Sequence, residues 1–430
     1  MKRLFILTYL LFPLLLLLPC TAQAVTDSVT TDTIYTNTLE TDTLASDSLV
    51  HRTVQQKISE LIDTDFFKKT QVGIMVYDLT ADSLVFAHNE RQLLRPASTM
   101  KVLTAITALD YLDGSYRYAT SLKYNDGDLT VVGGMDPRFN SDDMNAFVEA
   151  VEKLDTDTIY GELKEDRSFK DSKMLGEGWC WDDKNPVLTP LPWNRKDKFL
   201  DKFRQMLANA HIVILPKDSI PRDSLGNRIA TASSCIAPST LVTRHHTLDQ
   251  ILGRMMKESD NFYAETMLYQ IAHKAGGKRA SAKSAFSVMN RLIRKLGLDP
   301  SDYRLADGSG LSLYNYQTAE LQAKLLRYAY KDSNIYSHLY QSMPVAGVDG
   351  TLKERMKRTK CQGKVRAKTG TLTGISSLAG YLTTENGNVL CFSIINQGIR
   401  RSAPAKAFQD KVCMILYGYG TQCQQQPTEP

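Results

Sequence analysis

Ser98-Thr99-Met100-Lys101 opens a run that stays apolar through Val102, Leu103, Ile106 and Leu109 to Leu112, directly after Pro96. Proline disfavours the helical region for the residue before it, and the apolar spacing is helical, so the run predicts a helix over about Ser98–Leu112. Ser98 then begins that helix and Lys101 lies one turn on, on the same face. A serine hydroxyl is a poor nucleophile until a base takes its proton. A lysine becomes that base only if it loses its own proton, which desolvation and a nearby cation both favour.

Two further short strings supply what that pair lacks. Ser259-Asp260-Asn261 falls between two helical patterns, Leu248–Met256 and Asn261–Lys274. It is expected on a short loop, with Ser259 relaying a proton to a leaving amine and Asn261 holding a substrate amide and Lys101. Lys368-Thr369-Gly370-Thr371 sits in the strand candidate Val365–Thr371. Lys368 and Thr369 offer a cation and a hydroxyl to a carboxylate, and Lys368 is the expected second cation. Gly370 lets a substrate backbone lie against the strand. The Thr371 N–H, with that of Ser98, would form an oxyanion hole. Taken singly, each string has a plainer reading: an N-cap serine with a surface lysine, a capping turn, or a bulged surface strand.

Around these strings the chain of 430 residues predicts helix and strands first, helices in the middle, and strands plus a helix last. A helix is expected over 52–63, strands over Val72–Tyr77 and Ser83–His88, and helices over Ala280–Leu296 and Thr318–Tyr330. Strands Ser377–Thr383 and Val389–Asn396 flank the hairpin signal Glu385-Asn386-Gly387-Asn388, and a helix over Ala403–Leu416 closes the chain. The two ends would build one antiparallel sheet flanked by helices. Residues 120–232 are surplus to that plan: short strand-like pieces such as Leu129–Val132 alternate with Gly, Asp, Pro and Asn. They are expected as a smaller inserted domain. The main domain would be 51–119 with 233–420.

Lys2 and Arg3, an apolar run from Leu4 to Leu18, and Ala22-Gln23-Ala24 have the form of a signal peptide cut after Ala24. Cys20 would be the lipidated residue of a lipoprotein, but Leu18-Pro19 is a poor lipobox, so a periplasmic protein is the preferred reading. Residues 25–50 carry no Lys or Arg and repeat Asp, hydroxyl residue, aliphatic, as in Asp42-Thr43-Leu44. They are expected as a disordered tether, with an O-glycosylated stalk as the second reading. Residues 421–430 are expected to be a disordered tail. The net charge of +5 falls to +3 without Lys2 and Arg3, and rises to +8 for 51–430 once the five acids of 25–50 are also removed. A mildly basic body suits an anionic polymer, and export argues for cell wall and against nucleic acid. The histidines show no metal-ligand spacing, so neither metal nor cofactor is expected. Six cysteines follow the leader, none in C-x-x-C, and are expected as mostly free, buried thiols, one bridge being left open.

The order S-x-x-K, S-x-N, K-T-G is the signature of penicillin-binding proteins and serine β-lactamases. Longer strings resemble the serine D-Ala-D-Ala carboxypeptidase/DD-endopeptidase family, the class C low-molecular-mass penicillin-binding proteins. These are Gly133-Gly134-Met135-Asp136-Pro137, Gly178-Trp179-Cys180-Trp181-Asp182-Asp183, Asp307-Gly308-Ser309-Gly310-Leu311-Ser312 and Pro344 to Leu352. The resemblance covers about 70 to 400. It implies an α/β transpeptidase domain of the β-lactamase-like type, with an insert between the first two motifs, acting on peptidoglycan stem peptides and cross-links. It also implies β-lactams as covalent inhibitors. Two departures stand out. Only 161 positions separate Ser98 from Ser259, which implies one reduced insert. Pro190-Leu191-Pro192-Trp193 is not the usual continuation, which puts the insert's substrate contacts in doubt. Asp136 is a candidate for contacting a substrate ammonium, with a turn residue before Pro137 as the alternative. A β-lactamase and a non-catalytic penicillin sensor compete with the peptidase. The first lacks an E-x-x-L-N string, and the second would normally carry a membrane span.

Overall fold

The computed structural model describes residues 53–180, 185–231 and 236–420. The leader, the tether, the C-terminal tail, Trp181, Asp182, Asp183, Cys235 and Cys423 lie outside the described residues. The chain opens with α1 (Val54–Ile62), α2 (Asp65–Lys68), β1 (Gln71–Asp78), β2 (Ser83–His88) and α3 (Met100–Leu112). It continues through β3 (Arg117–Asn125), β4 (Asp128–Val132), α4 (Ser141–Glu152), β5 (Thr158–Tyr160), β6 (Leu163–Asp166), α5 (Phe199–Asn209), β7 (Val213–Leu215) and β8 (Ser239–Thr247). The helices α6 (Leu248–Lys257), α7 (Asn261–Lys274), α8 (Ala282–Lys295), α9 (Ala319–Lys331) and α10 (Ser333–Ser342) follow. Then come β9 (Val365–Leu372), β10 (Ile375–Thr383), β11 (Val389–Gln397) and α11 (Ser402–Tyr417).

Five strands form one antiparallel sheet in the order β2-β1-β11-β10-β9, so the two ends of the chain do meet. Its inner strands β10 and β11 are buried on both faces. Ile74, Val76, Leu378, Phe392 and Ile394 pack with α1 and α11, while Tyr381 and Cys391 belong to the helical core of α3, α6, α7, α8 and α9. Helix α3 is buried nearly all round, which is why its sequence is apolar on every side rather than on one stripe.

The strand Leu129–Val132 lies outside this sheet. It belongs to a second sheet, β6-β4-β3-β8, with its own core of Leu122, Leu129, Val131, Phe147, Phe199 and Phe203. Strands β3 and β8 start at Arg117 and end at Thr247, so this sheet overruns both ends of 120–232. Helices α4 and α5, not only strand fragments, cover it. Their apolar spacing is short and interrupted by acids, and the local texture hid it. Asn140 caps α4, accepting from Asp142 N and Asp143 N.

Four cysteines are described, all free. Cys361, Cys391 and Cys413 are buried as expected, but Cys180 is exposed.

Candidate active site

Ser98 is not on the α-helix proper. It sits in a 3-10 turn, Ala97–Thr99, that leads into α3, and Ala97 before it has φ +48. Such a backbone is unfavourable for a residue with a Cβ and persists where its surroundings impose it. Here they do. The Ser377 hydroxyl donates to Pro96 O at 2.6 Å, Thr99 Oγ1 donates to the same carbonyl at 2.7 Å, and Gln322 Nε2 donates to Thr99 Oγ1 at 2.8 Å.

Lys101, one turn on, is fully buried. Its Nζ donates to Ser98 Oγ at 3.1 Å, to Asn261 Oδ1 at 2.7 Å and to Ser309 O at 2.7 Å. Burial pushes this lysine down to about 8, against the pull of Asp307, Glu265 and Asp260. Lys368 is equally buried. Its Nζ donates to Ser259 Oγ at 2.8 Å and to Thr369 O at 2.7 Å. Burial, and then the charge of Lys101, hold it well below the usual lysine range. Desolvation is thus the leading cause on both lysines, and a cation–cation effect acts on Lys368, from Lys101, rather than on Lys101 as expected. Ser259 has φ +60, and Asn261 is the first residue of α7.

Strand β9 is the sheet's edge. Ala367 N donates outward to Pro344 O and Val365 O accepts from Ala346 N, so alternate residues from 365 turn their N–H and C=O away from β10. By that alternation the N–H groups of Thr369 and Thr371 face the open edge. Thr369 Oγ1 donates to Thr351 Oγ1 at 2.8 Å. Gly370 is required for a reason other than the expected one. A Cβ there would meet Ser377 Oγ at 2.1 Å, Pro96 O at 2.8 Å and Ser98 N at 3.0 Å. Its bare face receives the Ser98 turn.

All eight sequence-predicted residues therefore converge on one place. Asp136 does not join them. It is buried, accepts from Arg138 N at 2.9 Å and pairs with His246 Nδ1 at 2.6 Å, so its carboxylate is already occupied. Three residues that matter were missed. Glu265, one turn after Asn261, is buried and pushed up to about 8, first by desolvation and then by Asp307. It accepts from Gly308 N at 2.9 Å, while Thr104 Oγ1 donates to Gly308 O at 2.6 Å. Asp307 anchors the loop whose Ser309 carbonyl meets Lys101. Arg195, in the segment whose contacts were in doubt, pairs with Asp260. An acid inside the apolar run Phe262–Ile271 was the one signal that could have marked Glu265.

A hydroxyl on a locked turn, a buried and depressed lysine beside it, and a second buried lysine on the strand that bears the open edge make up a serine acyl-transfer site on a mixed α/β fold. The chain belongs to the D-Ala-D-Ala carboxypeptidase 3 (S13) family, whose model matches residues 54–192 and 224–416. It is 25% identical over 461 aligned residues to a D-alanyl-D-alanine carboxypeptidase of Actinomadura sp. strain R39, covering 85% of each chain. To the D-alanyl-D-alanine carboxypeptidase DacB of Haemophilus influenzae it is 23% identical, covering 81% of this chain and 92% of the other. In fold it resembles the crystal structure of penicillin-binding protein 4 from Haemophilus influenzae, with a TM-score of 0.72 at 20% identity over 84% of this chain and 99% of that one. It also resembles Bd3459, a predatory peptidoglycan endopeptidase of Bdellovibrio bacteriovorus, with a TM-score of 0.54 at 17% identity over 82% and 94%. The protein is a serine-type D-Ala-D-Ala carboxypeptidase acting on peptidoglycan.

Proposed function

We propose that Ser98 is the nucleophile, Lys101 its base, and Ser259 and Lys368 the proton path to the leaving amine. The observation that carries this is the contact of a buried, depressed Lys101 Nζ with Ser98 Oγ at 3.1 Å. Neutral Lys101 takes the Ser98 proton as Oγ attacks the carbonyl carbon of the penultimate D-Ala. The new C–O bond leaves an oxyanion, which accepts from the N–H groups of Ser98 and Thr371. The C–N bond then breaks, and the amine receives a proton through Ser259 Oγ, which Lys368 Nζ holds at 2.8 Å. Lys101 becomes neutral again by giving up the Ser98 proton to replace the one that Ser259 passed to the amine. Water then attacks the ester and gives a proton to Lys101, which hands it to Ser98 Oγ as the ester C–O bond breaks and the shortened peptide leaves. A penicillin follows the same first step, but its opened ring stays attached and hinders the water.

Lys368 and Thr369 would bind the carboxylate that follows the scissile bond, and Asn261 the substrate amide. No cofactor enters this scheme. Stem peptides and 4→3 cross-links share the bond and that carboxylate, and the edge of β9 is open beyond Thr369. The enzyme therefore acts on both, as carboxypeptidase and endopeptidase. Among the described residues no helix is long and apolar enough to cross a membrane. Lys2 and Arg3, the apolar run from Leu4 to Leu18 and Ala22-Gln23-Ala24, in the form of an export leader, support action outside the cytoplasm, in the periplasm. The β-lactamase and sensor readings gain no observation of their own. Digestion of purified cross-linked dimers beside pentapeptide monomers, read by mass spectrometry, tests the reaction. Release of D-Ala with dimers left intact would reduce the activity to a strict carboxypeptidase.

A further inference from the structure

We propose that Arg195 is a positioning residue for catalysis: through Asp260 it holds the Ser259–Asn261 loop in register with Ser98 and Lys101. The inference rests on the roles just given to Ser259 and Asn261.

Arg195 occupies the tip of a two-residue turn closed by Trp193 N to Lys196 O at 2.9 Å and Lys196 N to Trp193 O at 3.0 Å. Both tip residues, Asn194 at φ +50 and Arg195 at φ +64, take the left-handed backbone of a two-residue hairpin turn, which suits asparagine but not arginine. The turn is fixed at its back, where Val187 N donates to Arg195 O at 3.0 Å and Trp193 packs on the core of the second sheet. An arginine at this position, where glycine or asparagine would sit more easily, is held by its surroundings with its side chain on the Ser259–Asn261 loop.

Its guanidinium grips Asp260 with two nitrogens. Nη1 meets Oδ1 at 3.1 Å, and Nη2 meets Oδ2. Such a fork fixes the plane of a carboxylate, which a point charge does not. Arg254 on α6 adds only its Nε, at 3.1 Å, and shares that group with Glu258 at 3.2 Å. Asp260 is nearly enclosed, with a side chain 5% exposed. Its Oδ1 also accepts from Phe262 N at 3.0 Å, which caps α7. One residue before it, Ser259 Oγ meets Lys368 Nζ. One residue after it, Asn261 Oδ1 meets Lys101 Nζ. Turning the Asp260 carboxylate would therefore move both contacts at once. The stretch between the first two motifs thus reaches the Ser259–Asn261 loop through this ion pair.

The test uses the purified enzyme, with D-Ala release and penicillin acylation as readouts. Wild-type acylation that is lost in Ser98→Ala is the control that separates failure of this proposal from failure of the site itself. Arg195→Ala is expected to lower kcat by about tenfold or more while KM changes by less than about threefold, because the substrate contacts remain. The Arg195 side chain is 44% exposed, so millimolar guanidinium ion should reach the vacated position and restore part of the rate. Arg195→Lys keeps the charge without the fork, so it folds as the wild type does and stays slow. Wild-type kcat in Arg195→Lys, or a loss in Arg195→Ala that guanidinium does not restore, would overturn the proposal.

Discussion

Trp179 donates its indole Nε1–H to Asp307 Oδ2 at 2.9 Å, across 128 residues of chain. Asp307 also accepts from Gly310 N at 2.7 Å, Ser312 N at 2.7 Å, Asn315 Nδ2 at 2.8 Å and Ser309 Oγ at 3.1 Å. One buried carboxylate therefore shapes the loop that hands the Ser309 carbonyl to Lys101. Trp179→Phe keeps an aromatic ring, though a smaller one, and removes one of these bonds, so a loss of about 1–3 kcal/mol is expected. Asp307→Ala strands several buried donors, each costing about 1–3 kcal/mol, and should melt far lower. Thermal unfolding of the two variants decides the matter. Equal melting would mean that the carboxylate does not hold the loop.

Gly370→Ala should impair the nucleophile rather than substrate affinity. The added Cβ would fall 2.1 Å from Ser377 Oγ and 2.8 Å from Pro96 O, the two atoms that lock the Ser98 turn. Either Ser377 lets go of Pro96 or β9 shifts outward. Acylation kinetics should show a reduced maximal rate, with little change in the penicillin concentration giving half that rate. A variant that acylates at the wild-type rate would contradict the packing argument.

The pH dependence follows from Lys101. A base must be neutral to accept a proton, and Lys101 is pushed down to about 8 by burial. The acylation rate should therefore rise with pH and level off above about 8. Glu265 pulls Lys101 upward, so Glu265→Gln, which keeps an oxygen for Gly308 N, should move this limb to lower pH. A limb that stays in place or moves to higher pH would contradict the assignment. Lys101→Ala should fold and lose acylation by about 10²–10⁴-fold, the usual worth of a general base.

The candidate site residues were legible because each lies in a short string whose chemistry is local: Ser98 with Lys101, Ser259 with Asn261, Lys368 with Thr369. The main sheet was legible for a similar reason, since β9, β10 and β11 follow one another with a hairpin signal between the last two. What escaped is what only the fold brings together. Trp179 and Asp307 each stood in a conspicuous string, yet nothing local says that they touch. Arg195 lies 65 residues from Asp260 and sits in a turn whose backbone its residue types do not favour. Gly370 was noticed, but its reason lies in the packing of Pro96 and Ser377. Helix α4 was hidden by the acids within it, and α5 by the proline- and lysine-rich stretch that leads into it.

The central claim is that Ser98 forms the acyl-enzyme. Incubation of the purified protein with a penicillin, followed by intact-mass analysis and peptide mapping, tests it most directly. The account predicts a single adduct of one penicillin mass, mapped to the peptide that contains Ser98 and absent in Ser98→Ala. An adduct that survives in Ser98→Ala, or one mapped to another serine, would contradict it.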